Sequence, residues 1–99
     1  MSVVSHLAIR IAPGRRRAAL DAFRTRRVFE ECADAIPGFA GAFLLADRND
    51  PDTIIVIAEW RDAADYATWT RHPVCAAQKS DLAHFLAAAP ETRLFDKHA

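Results

Sequence analysis

Polar and apolar positions alternate along the first stretch of the chain. Between Val3 and Ile11, Leu7, Ile9 and Ile11 fall on one side and His6, Ala8 and Arg10 on the other. A period of two marks a strand. Pro13-Gly14 stops it, and a helical stretch follows to about Asp34. There Leu20 and Phe23 share a side while Val28, Phe29 and Cys32 are rotated from it, which predicts a kink or register shift near Thr25. Ile36-Pro37-Gly38-Phe39 reads as a turn into a second strand through Phe43, Leu44 and Leu45. Asp47 to Asp52 is dense in turn formers and predicts a hairpin loop. Thr53 to Trp60 follows as a third strand, with β-branched Ile54 to Ile57 apolar on both faces. Such a strand needs cover on both sides.

Asp62 is placed to cap a short helix carrying Ala63, Tyr66 and Trp69 on one side. His72-Pro73 interrupts it, with proline at a position suited to opening the next helix. That segment aligns Val74, Gln78, Leu82 and Phe85, Pro90 ends it, and Thr92 to Phe95 forms a last short strand. The order is β-α-β-β-α-β, the split βαβ or ferredoxin-like α+β sandwich with helices on one face of an antiparallel sheet. The other face carries Ile55 and Ile57, an apolar row that a second copy would cover. A homodimer is thus predicted from the pattern. Arg10 and Glu59 are expected to pair across adjacent strands on that same face, beside His6.

The composition narrows the partners. Ninety-nine residues give room for one domain, residues 1–99, and one core. Thirteen basic and thirteen acidic residues balance, which argues against nucleic acid or an anionic membrane as the partner. The arginines from Arg15 to Arg27 are diluted by Asp21, Glu30 and Glu31 and read as a solvated helix face. No apolar run is long enough to span a bilayer and no leader opens the chain, so a cytoplasmic protein is expected, with Cys32 and Cys75 as free thiols. His72 and Cys75 have metal-ligand spacing, but two ligands do not make a site, and no metal is expected.

With Ile36-Pro37-Gly38-Phe39, the strand ending in Glu59-Trp60, and Tyr66, Trp69 and His72-Pro73 behind it, nearly the whole chain resembles the antibiotic biosynthesis monooxygenase family. The resemblance implies a dimeric α+β barrel with a ligand cavity between sheet and helices in each subunit. It also implies oxidation of aromatic polyketides or quinols without metal or flavin, and hence no cofactor. Its polyketide-oxidising members line the cavity with an asparagine in the third strand, a tryptophan at that strand's end and a tyrosine in the next helix. Trp60 and Tyr66 match the last two, and Val56 stands where the asparagine would be. A haem-degrading branch uses a first-strand asparagine, a tryptophan on the second helix and a histidine further along. Trp69 fits the tryptophan, the first strand has no asparagine, and the histidine position falls near Lys79.

Tyr66 and Trp60 are therefore the candidate catalytic residues, with Trp69, Gln78, Val56, Lys79 and His72 as candidate substrate contacts. Each has a plainer alternative. Trp60 and Trp69 suit a core equally well, and His72 suits a helix cap. Gln78 is the most informative, because an amide on an apolar stripe needs a partner, a water or a ligand. The functions open at this point are a cofactor-independent monooxygenase of a small aromatic substrate (phenol, quinol or polyketide-like), a small-molecule binding module without chemistry, and a haem-degrading oxygenase.

Overall fold

The computed structural model describes residues 2–98. Its sheet is four-stranded and antiparallel, in the order β2-β3-β1-β4, with β1 at Val3–Arg10, β2 at Phe39–Ala46, β3 at Thr53–Trp60 and β4 at Glu91–Asp96. The helices α1 (Arg16–Arg26), α2 (Val28–Ala35), α3 (Ala63–Thr70) and α4 (Pro73–Leu82) complete the ferredoxin-like α+β fold. They cover the face bearing Val3, Ile9, Ile54, Ala58 and Trp60, all buried.

The first helical stretch breaks at Arg27, two residues beyond the expected kink. Arg27 adopts a left-handed conformation (φ 62°) that closes α1 and opens α2. The turn rotates the later apolar residues back onto the sheet, so Phe23, Val28 and Cys32 are all buried. This resolves the imperfect stripe. Asp62 caps α3 by accepting from the Asp65 N–H at 2.9 Å. Proline opens α4, and the helix ends at Leu82 rather than at Pro90, passing into a 3₁₀ turn over Ala83–Phe85. On α4 the buried position belongs to Cys75, not to Val74.

The β2–β3 hairpin is closed by its own loop. Asp47 Oδ1 accepts from the N–H groups of Asn49 and Asp50 at 2.8 and 2.9 Å. Asp50 takes the Asp52 N–H at 3.0 Å and the Thr53 hydroxyl at 2.8 Å. These bonds hold both carboxyls below the usual carboxylate range. Arg16 reaches over from α1, its Nη1 lying 2.8 Å from each of the Asp47 and Asp50 carbonyls. At the far end of the hairpin a bulge between Phe39 and Gly41 shifts the register, and Gly41 supplies the required φ of 143°.

The helix-free face of the sheet aligns Val4, His6 and Ala8 with Glu59, Ile57 and Ile55. Phe43 and Leu45 flank these isoleucines on β2. Phe43 is 54% exposed and Leu45 46%. One expectation is corrected here. Arg10 stands opposite Thr53 and Glu59 opposite Val4, so the two charges lie on the same face but at opposite ends of the strand pair. Arg10 approaches Asp50 at 3.8 Å, and Glu59 takes the Lys97 ammonium at 3.0 Å. Alternation fixes a residue's face; only the register fixes its neighbour.

Candidate active site

The core beneath the helices divides into two clusters. One gathers Ile9, Ile11, Ala19, Phe23, Val28, Ile54, Leu82 and Phe85, and the other Val3, Cys32, Ile36, Ala58, Trp60, Trp69 and Cys75. Between them lies a cavity of about 430 Å³ with walls from both. Side chains of this size pack without voids where nothing else intervenes. A cavity this large is the usual form of a small-molecule site.

Its aromatic end is built around Trp60, which is 2% exposed. Strand alternation turns Trp60 inward at the end of β3, and α3 begins directly after it, so the Tyr66 and Trp69 rings fold back over the indole. Their centroids lie 5.6 and 6.3 Å from that of Trp60, edge-on and stacked respectively, and Phe39 meets it edge-on at 5.3 Å. The close turn before β2 makes this possible: Gly38 accepts from the Arg61 N–H at 2.7 Å and has no room for a side chain beside Asp65. The indole Nε1 donates to the Ser5 hydroxyl at 3.0 Å, and Ser5 itself is buried and lines the cavity.

The polar groups in the wall are few. Gln78 Nε2 donates to the Val28 carbonyl and to Glu31 Oε1, each at 3.1 Å. Burial, and after it the neighbouring Cys75 thiol, pushes the Tyr66 phenol above its ordinary range, with the Thr92 hydroxyl pulling weakly the other way. Burial likewise pushes Cys32 up to about 12 and raises Cys75. These three groups stay protonated at neutral pH and cannot serve as bases there. Lys79 is the one charged residue among those lining the cavity, and it forms no ion pair among the described residues.

The sequence model of the antibiotic biosynthesis monooxygenase family matches residues 2–90. The chain belongs to that family. Solved structures agree on the fold at low identity. SnoaB, a cofactor-independent oxygenase of Streptomyces nogalater, superposes with a TM-score of 0.78 at 18% identity, covering 99% of this chain and 94% of that one. The monooxygenase from the gene ActVA-Orf6 of Streptomyces coelicolor, solved in complex with nanaomycin D, gives 0.82 at 19% identity over 99% and 89% of the two chains. A protein of unknown function from Nitrosomonas europaea gives 0.77 at 22% over 99% and 90%. A search of curated proteins finds no sequence match.

Within this monooxygenase-family cavity the structure brings together Trp60, Tyr66, Trp69, Gln78, Val56 and Lys79. His72 is not among the lining residues. Its Nδ1 accepts from the Val74 N–H at 3.0 Å, capping α4, and its ring stacks on Trp69 at 6.1 Å. The helix junction that made His72 conspicuous in the sequence is what employs it. Ser5, Cys32, Cys75 and Thr92 also line the cavity and were missed as site residues. Ser5 did carry a signal, being a polar residue on the strand face of Leu7 and Ile9. The cysteines carried none, because small apolar residues are at home in any core, and Thr92 carried none, because a threonine on an edge strand is ordinary. Among the described residues no three metal-ligating side chains cluster, and no helix is long and apolar enough to cross a membrane.

Proposed function

We propose that this protein is a cofactor-independent monooxygenase of a small aromatic substrate, a phenol, naphthol or quinol. The observation that carries this reading is the cavity itself: a mostly apolar space walled by Trp60, Tyr66 and Trp69, with one cation among its lining residues, Lys79, that forms no ion pair among the described residues. A planar ring stacks on the indoles while Tyr66 and Ser5 offer hydrogen bonds to its oxygens and the Gln78 amide oxygen accepts one from a ligand hydroxyl. Such a substrate brings its own electrons. A phenol plus dioxygen gives a quinone plus water, with one oxygen atom entering the ring and the other leaving as water, so no outside reductant is needed. The protein's part is to orient the ring, exclude water and favour the phenolate. With Val56 in the position of the family's asparagine, the Lys79 ammonium supports the anion in its place. Tyr66, kept protonated by its surroundings, donates a hydrogen bond.

The catalytic unit in this reading is a single-domain homodimer in which a second copy covers the apolar sheet face of Phe43, Leu45, Ile55 and Ile57. A patch of that kind on a monomer would stand open to water. The test of function is oxygen uptake with a panel of naphthols and quinols. Uptake with product quinone is expected, and Tyr66→Phe lowers it while leaving the far-ultraviolet circular dichroism unchanged. Ligand binding without oxygen uptake would favour the binding module instead. A Soret band on titration with haem would favour haem degradation.

A further inference from the structure

A chain of polar groups runs from the surface into the wall of the cavity. Asp81 on α4 holds the guanidinium of Arg26, the last residue of α1. Arg26 Nε stands 3.4 Å from Glu31 Oε1 on α2. The same Glu31 oxygen accepts from Gln78 Nε2, whose second hydrogen goes to the Val28 carbonyl. The left-handed turn at Arg27 is what sets Arg26 and Glu31 side by side.

A primary amide presents a donor face and an acceptor face, and unless its neighbours decide, it turns over freely. Here they decide. Both amide hydrogens meet oxygens, and the reversed amide would set its own oxygen against a carbonyl and a carboxylate. Gln78 Oε1 is therefore fixed on the other side. It takes no hydrogen bond from any described residue, yet it is not sealed off: the one buried side-chain nitrogen or oxygen without a partner among the described residues is Arg26 Nε. Gln78 is only 6% exposed and lines the cavity, so Oε1 is taken to face that space.

We infer that Glu31, together with the Val28 carbonyl, is a positioning residue that locks Gln78 as a hydrogen-bond acceptor and makes this end of the cavity select a ligand hydroxyl over a ligand carbonyl. The inference rests on reading the cavity as an aromatic binding site. A phenolic hydroxyl donates to Oε1, whereas a carbonyl placed there opposes oxygen to oxygen and leaves both unpaired. The lock thus favours the reduced, hydroxylated partner of a phenol–quinone pair and promotes release of the oxidised one.

The test is calorimetric titration under nitrogen, where no turnover occurs, with 1-naphthol and with α-tetralone, a ketone of nearly the same size. Wild-type protein is expected to bind the naphthol about tenfold more tightly, the worth of one mispaired hydrogen bond in a dry site. Glu31→Ala takes away one of the two oxygens that orient the amide and leaves the Val28 carbonyl, so the ratio falls part of the way toward one through tighter tetralone binding. Glu31→Gln keeps an acceptor at that position and restores the preference. A merely structural role for Glu31 would weaken both ligands alike and leave the ratio untouched, and that result overturns the inference. Should Glu31→Ala not fold, Gln78→Met removes the amide and must abolish the preference, and a preference that survives it is equally fatal. Equal binding of both ligands by the wild type refutes the lock alone. Binding of neither refutes the aromatic-site reading and the lock with it.

Discussion

Ser5→Ala isolates the hydrogen bond on which the aromatic end of the cavity depends. Trp60 is almost wholly buried, and its Nε1 has the Ser5 hydroxyl, 3.0 Å away, as its partner. Removing that oxygen leaves an indole N–H without an acceptor. The cost of an unsatisfied buried donor is about 1–3 kcal/mol. A water entering the cavity to replace the hydroxyl would bring the loss toward the lower end of that range. In a domain of this size each kcal/mol lowers Tm by roughly 4–8 °C. The decisive measurement is a double-mutant cycle with Trp60→Phe, followed by circular dichroism in urea because the substitution removes a fluorophore. Phenylalanine has no N–H, so in its background Ser5→Ala should cost little, and the coupling between the two sites should amount to most of the single-mutant loss. An equal cost of Ser5→Ala in both backgrounds would refute the reasoning and reduce Ser5 to a filler of space.

Three further outcomes follow from other parts of the molecule. Gly38→Ala drives a methyl group into Asp65 Oδ2 and disturbs the carboxylate that Arg61 grips at 2.9 and 3.0 Å; it should cost about 1–3 kcal/mol in urea unfolding, with part recovered by adding Asp65→Ala. Cys32 has a native value near 12 against an ordinary 9.0, so the folded chain holds this proton more tightly than the unfolded one. Its contribution is complete below pH 9 and is lost as pH rises toward 12, and Cys32→Ala should flatten the alkaline limb of the stability–pH curve. Ile57→Lys places an ammonium ion in the sheet face assigned to the dimer contact; light scattering should show a dimer for the wild type and a monomer for the variant.

The fold was readable because its strands announce themselves by alternation and its last two helices by their caps. Thr53 to Trp60 is β-branched and bounded by turn residues, and Asp62 and Pro73 sit where helices must start. The Arg27 turn was legible only as a rotated stripe, since nothing in a run of arginines says which one takes the left-handed conformation. The site was legible where residues are large or out of place: Trp60, Tyr66 and Trp69 by size, Gln78 by its polarity on an apolar stripe. Register was not legible, which is why Arg10 and Glu59 were paired in expectation and lie apart in the sheet. Glu31 was invisible for a related reason. Its importance comes from the company of Arg26 and Gln78, and that company is set by a turn and a helix crossing rather than by spacing along the chain.

The self-closed loop of the β2–β3 hairpin bears on how the sheet is assembled in time. Asp47 and Asp50 organise this turn from within, using only neighbours between Asn49 and Thr53. The central strand β1 has no such local help, since Val3 must find Trp60 on one side and Asp96 on the other. Contacts that close short loops cost little chain entropy and form early, whereas distant ones wait for a template. The hairpin is expected to be that template, with β1 docking onto the edge that β3 presents. Substitutions in the loop would then slow refolding, and those where β4 meets β1 would chiefly hasten unfolding. The cavity, walled by Ser5 and Leu7 of β1 and Thr92 of β4, is accordingly expected to be among the last parts of the molecule to close.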